Sequence, residues 1–254
     1  MIKDMAKIIN DLSYKNDRYR VFSDFVEMSA ISISNAVDKP QFEKREADYM
    51  AIVKRYDRKD LEQFPKMLGM LVMTLEGGFD DVLGKLFHEL ELHNEHRGQF
   101  FTPYPICKMM AMMTANHVDT INDRGFITAS EPACGAGAMI IALAETMKEQ
   151  DINYQHALHV TAVDVDPRCV HMAYTQFSLL HIPAVVIQGN TLTMEEKEHW
   201  YTPAHVIGGW TYRLKAKGIQ ENMMKILEPQ QPDIEPENVE EIRHITQTQQ
   251  LKLF

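Results

Sequence analysis

The chain has 254 residues, 45% hydrophobic and 24% charged, an ordinary globular balance with length enough for an α/β domain and a helical extension. Asp and Glu number 36 against 26 Lys and Arg, a net charge of −10, which excludes tight binding to nucleic acid by bulk charge alone. Apolar runs such as 67–74 and 138–144 are too short to cross a bilayer, and the amino terminus has charges spread through it, so a cytoplasmic protein without a secretion signal is expected.

Residues 1–97 read as a helical domain of four or five helices. Apolar residues recur at helical spacing in Ile8, Ile9 and Leu12, in Val21, Phe22, Phe25 and Val26, in Met50, Ile52 and Val53, and in Leu68, Leu71, Val72 and Leu75. Pro40 and Pro65 punctuate the pattern, and Gly77-Gly78 breaks it ahead of Asp80 and Asp81, either of which can cap the next helix. The methionines in and after this region are expected as core filler. The basic run 54–59 reads as a solvated helix face. His88, His93 and His96 follow H-E-x-x-x-H, one residue too long to place two histidines on one face of a zinc helix, so a polar surface is expected there. Cys107, Cys134 and Cys169 are few and widely spaced, as expected of reduced thiols without a disulfide or zinc site.

From residue 98 the pattern changes. A helix is expected over 104–117, a strand over 125–128, a helix over 138–149 and a strand over 158–163 ending on Asp164. A helix over 167–180 and a strand over 184–187, ending in Gln188-Gly189-Asn190, follow. That β-α-β-α-β alternation predicts a parallel, doubly wound sheet. Residues 195–200 are polar, 205–210 suit one short strand, and 212–227 suit a helix. Beyond Glu228 the chain is rich in Pro, Glu and Gln and reads as a flexible tail, which divides the chain into 1–97, 98–227 and 228–254.

In such a sheet ligands sit at the carboxyl ends of strands. The first expected strand leads into Glu131-Pro132-Ala133-Cys134-Gly135-Ala136-Gly137, where two glycines allow close backbone approach to a ligand. The opening carboxylate argues against phosphate and for a cationic amine. Asp164 is placed to take ribose hydroxyls, and Asp166 to cap the helix opening on Pro167. Asn190, in Gly-Asn-Thr, reads equally as a partner for an adenine edge or as a turn residue. The ligand implied carries an adenosine and an amine.

This constellation resembles the class I S-adenosylmethionine-dependent methyltransferases. Asp81 and Gly84 lead into Gly98-Gln99-Phe100-Phe101-Thr102-Pro103, which resembles the F-x-T-P segment of adenine-N6 DNA methyltransferases, above all the modification subunits of type I restriction systems. The resemblance spans 81–193. It implies a Rossmann-like class I core, shortened here, with S-adenosylmethionine as cofactor and DNA as partner. By it, Phe101 and Thr102 line the methionine end, Glu131 faces the amino group from the 131–137 loop, Asp164 holds the ribose and Asn190 the adenine.

One departure stands out. The family carries N/D/S-P-P-Y/F after its fourth strand, to polarise and stack the target adenine, and this chain has no Pro-Pro pair. Tyr201, Pro203 and His205 are the candidates nearest that position, although they do not match the pattern. Methyl transfer to adenine is one functional expectation. The alternative is a non-catalytic cofactor-binding accessory of DNA metabolism or of a mobile element. The last residues favour a clamp partner, since Gln250, Leu251, Leu253 and Phe254 resemble the Q-L-x-L-F peptide that docks on bacterial sliding clamps.

Overall fold

The computed structural model describes residues 1–90, 101–114, 121 and 125–227, with side chains as far as 219. The expected residues 98–100, His93, His96 and the tail with its Gln250–Phe254 peptide lie outside the described residues. So does the 97/98 domain boundary.

The described amino-terminal region, residues 1–90, is helical: α1 (Ile2–Leu12), α2 (Arg18–Val37), α3 (Phe42–Val53), α4 (Arg58–Leu61), α5 (Gln63–Glu76) and α6 (Val82–Glu89). Their starts follow local chemistry, because Asp17, Asp57 and Asp81 each accept a backbone N–H of the first turn. Ile9, Leu12, Phe22, Phe25, Ile52 and Leu71 are buried as their spacing requires, while Met50 is exposed. The next helix is α7 (Tyr104–Thr114). It presents Met109, Met110, Met112 and Met113 to solvent, so these methionines are not the core filler expected of them.

The sheet contains β1 (Ile127–Glu131), β2 (Leu158–Asp164), β3 (Ala184–Asn190) and β4 (Glu195–Tyr201), in that order. The first three are parallel and joined through α8 (Ala138–Glu149), α9 (Tyr154–Ala157) and α10 (Pro167–Leu179). The core runs from the amino-terminal helices into this sheet: α2 lies along α10, and Phe22, Phe87, Phe177 and Val160 belong to one buried cluster.

Three expectations are corrected. The first strand lies later than expected and ends on Glu131 itself. Residues 195–200, read from sequence only as polar, form a strand paired antiparallel with β3. It is an edge strand burying only Trp200, against the Arg45 guanidinium 3.8 Å from the ring, so its sequence need not be apolar. Residues 205–210 hold the end of one helix, a Gly208-Gly209 turn and the start of the next, where a short strand was expected. Thr202 caps α11 (Pro203–Ile207), with Pro203 at its first turn, and α12 (Trp210–Leu227) follows. The order β1-β2-β3-β4 also contains no reversal, so the described strands form one wound half of a Rossmann-like sheet.

Met1–Thr211 makes one compact unit. The chain from Tyr212 belongs to a second, described as α12 as far as Leu227. Among the described residues no helix is long and apolar enough to cross a membrane.

Candidate cofactor site

Three strand ends converge at the carboxyl edge of the sheet. The turn 131–137 follows β1 and takes its shape from two glycines with positive φ, +53° at Gly135 and +96° at Gly137. Packing also requires glycine at both places. A Cβ on Gly135 would sit 2.9 Å from the Phe101 ring, and one on Gly137 would sit 2.5 Å from Phe177. The places a Cβ would take are filled by the protein's own aromatic rings.

The turn is tied to the end of β2. The Cys134 amide donates to the Val163 carbonyl at 2.9 Å, and the Gly135 amide donates to the Asp164 carboxylate at 2.9 Å. Asp164 accepts a second bond from the Asp166 amide, also at 2.9 Å. Asp166 caps α10 as expected, accepting from the Arg168 amide at 3.0 Å. From the end of β3, the Thr191 hydroxyl donates to the Pro132 carbonyl at 2.7 Å. The Asn190 side-chain oxygen accepts from the Leu192 amide at 3.0 Å. Its NH₂ group is the part left to donate to a ring nitrogen, so the turn and adenine readings of Asn190 are compatible.

Electrostatics favours a cationic guest. Glu131 and Asp164 are partly buried, and neither makes an ion pair among the described residues. Burial raises the Glu131 carboxyl above its ordinary value, the Ala133 amide opposes this, and Asp164 adds to it. Burial likewise raises Asp164, against the amides of Asp166 and Gly135. Buried Cys134 is held well above the usual thiol value by burial first and then by the same two carboxylates, so it stays neutral.

The structure brings Phe101, Glu131, Pro132, Gly135, Asp164 and, through Thr191, Asn190 to one edge. Ala133 and Thr102 lie exposed beside their neighbours in the same two segments, and Gly137 serves the packing beneath. Two features were missed from sequence. Thr191 bridges two strand ends, and Val165, next to Asp164, is an exposed apolar residue at the rim.

Tyr201, Pro203 and His205 do not join this edge. Because β4 is antiparallel, Glu195 pairs with Asn190 while Tyr201 pairs with Val185, a strand length away, roughly 17 Å. His205 is buried with its Nδ1 2.9 Å from His159 Nε2 and its Nε2 3.0 Å from the Thr211 hydroxyl. Their surroundings make them part of the packing at the amino end of the parallel strands.

A glycine turn, an acid ending the second strand and an amide-bearing residue ending the third define a nucleoside-cofactor site of the class I methyltransferase kind. The model of the N-6 DNA methylase family matches residues 79–230, and the chain belongs to that family, whose cofactor is S-adenosylmethionine. No curated protein is similar to the chain. A solved structure described as a class I S-adenosylmethionine-dependent methyltransferase from Listeria monocytogenes aligns at 12% identity and a TM-score of 0.42, covering 75% of this chain and 54% of that one. The chain thus spans about half the length of that protein.

The residues present fit the cofactor. Two uncompensated carboxylates suit a ligand bearing an ammonium and a sulfonium, and Asp164 keeps lone pairs free for hydroxyls beyond its two amide bonds.

Proposed function

We propose that the chain holds S-adenosylmethionine for adenine-N6 methylation of DNA in the cytoplasm, and that the groups activating the target amine come from outside residues 101–227. The observation that carries this reading is the pair of partly buried carboxylates, Glu131 and Asp164, on adjoining strand ends without a cationic partner among the described residues. In this reading Glu131 takes the ammonium, Phe101 and Thr102 wall the methionine end, Asp164 takes the ribose hydroxyls, and Asn190 donates to the adenine, with Val165 as an apolar flank. The bound cofactor supplies an electrophilic methyl group on sulfur. The chain's own contribution is to orient that methyl and to keep both carboxylates ionised against the cation.

Isothermal titration with S-adenosylmethionine tests cofactor binding, and the absence of heat at high protein concentration would overturn it. Labelled-methyl transfer to DNA lacking adenine methylation tests the reaction, alone and with added modification or recognition subunits of a restriction system.

The placement of Tyr201, Pro203 and His205 at the opposite end of the sheet favours a second reading. Here the chain is a non-catalytic accessory that keeps the cofactor scaffold and reaches a sliding clamp through Gln250, Leu251, Leu253 and Phe254. Removal of 250–254 should abolish clamp binding while leaving cofactor binding intact, and unchanged clamp binding would remove this reading.

A further inference from the structure

Asp81 and Gly84 form a D-x-x-G pattern that the cofactor contacts leave unused. Asp81 is buried at the start of α6, and its Oδ1 accepts from the Gly84 amide at 2.9 Å. A Cβ at position 84 would overlap the Asp81 carboxylate, which is why glycine stands there. The same Oδ1 also accepts from Gln176 Nε2 at 2.9 Å.

Gln176 has no exposed surface, which is uncommon for this residue type. Its Nε2 also donates to the Ala136 carbonyl at 2.8 Å, inside the 131–137 turn, and its Oε1 accepts from the Leu83 amide at 3.0 Å. Turning the amide over would set its oxygen against a carbonyl and a carboxylate, so the network admits one orientation. The turn is therefore gripped on two flanks: Asp164 and Val163 hold Gly135 and Cys134, and Gln176 holds Ala136.

We infer that Gln176, anchored by Asp81, is a positioning residue that presets the 131–137 turn for the methionine end of the cofactor. This rests on the cofactor reading above. A turn already ordered before binding spares the ligand the entropy of ordering it. Gln176 bonds neither Asp164 nor Asn190 in this network, so the adenosine end of the site does not depend on it in the same way.

The test is isothermal titration of the full chain with S-adenosylmethionine and with 5′-methylthioadenosine, which keeps the nucleoside and lacks the amino acid. Gln176→Met removes both donated bonds at nearly constant shape. It should weaken S-adenosylmethionine by about tenfold to a hundredfold and leave methylthioadenosine within about twofold. If Gln176→Met does not fold, Gln176→Leu, which places no oxygen against the Ala136 carbonyl or the Asp81 carboxylate, is read by the same criteria. Wild-type affinity for S-adenosylmethionine in the variant, or equal loss of both ligands, overturns the inference alone. A wild-type chain that binds neither ligand overturns the cofactor reading and this inference with it.

Discussion

The Gly135 amide and the Asp164 carboxylate meet at 2.9 Å, so the turn after β1 and the end of β2 move as one piece. Asp164→Ala removes this bond and the one to Asp166, leaving two backbone donors unpaired. We expect about 1–3 kcal/mol of lost stability together with loss of cofactor binding. Asp164→Asn keeps one acceptor and should fold better than it binds. Urea unfolding alongside isothermal titration separates the two effects.

Cofactor affinity should depend on pH through Glu131 and Asp164. Burial raises both carboxyls, so the folded protein without ligand holds protons that the unfolded chain releases. Between the ordinary carboxylate value and the raised one, their contribution to stability falls as pH rises. A bound cation reverses the preference and favours the ionised pair. Titration from about pH 8 to about pH 4 should show affinity weakening as pH falls, starting above the ordinary carboxylate range, with proton uptake on release of the ligand. A flat affinity across that range would contradict a cationic guest at these groups.

His171 sets an opposite trend in stability. It is buried against Trp200, 4.9 Å between ring centres, and its pKa is pushed down to about 3 by burial and then by Arg45. A lowered folded value means this contribution is complete above the ordinary histidine value of 6.5 and is lost as pH falls below it. At about pH 5 the wild type should have lost about 2 kcal/mol through this group, and His171→Leu should show a shallower acid limb in urea melts.

Gly137→Ala should destabilise by roughly 2–4 kcal/mol, because its φ of +96° and the Phe177 ring both oppose a Cβ. Adding Phe177→Leu should recover part of the loss by opening space, without restoring the strained φ. A double-mutant cycle in chemical denaturation measures the coupling. Simple additivity would mean the ring contact is unimportant.

Tyr201→Phe and His205→Ala should leave cofactor affinity unchanged. His205→Ala should cost about 1–3 kcal/mol, since it strips the buried His159 ring of its 2.9 Å partner. A fall in cofactor affinity without loss of stability would place this segment at the site after all.

Much of the cofactor edge was legible because its determinants are local. Strand, glycine turn and helix follow one another within a few residues, and Ala138–Glu149 and the start of β2 at Leu158 appear where periodicity placed them. Phe101 was singled out from its motif, but its seat on Gly135 was not legible, since the two are far apart along the chain. β4 was missed because an edge strand buries so little that its sequence, Glu195 to Tyr201, need not alternate.

By itself the sequence determined the cofactor edge, since an acid, a glycine turn and strand-ending polar groups are set by short-range spacing and backbone preference. It also determined the lack of a Pro-Pro pair. Tertiary structure decided which way β4 runs, and that places Tyr201 a strand length from Asn190. It decided, too, that a glutamine on α10 and an aspartate on α6 meet beneath the turn. Strand direction and contacts between distant segments depend on which faces are buried together, and no local window of residues carries that information.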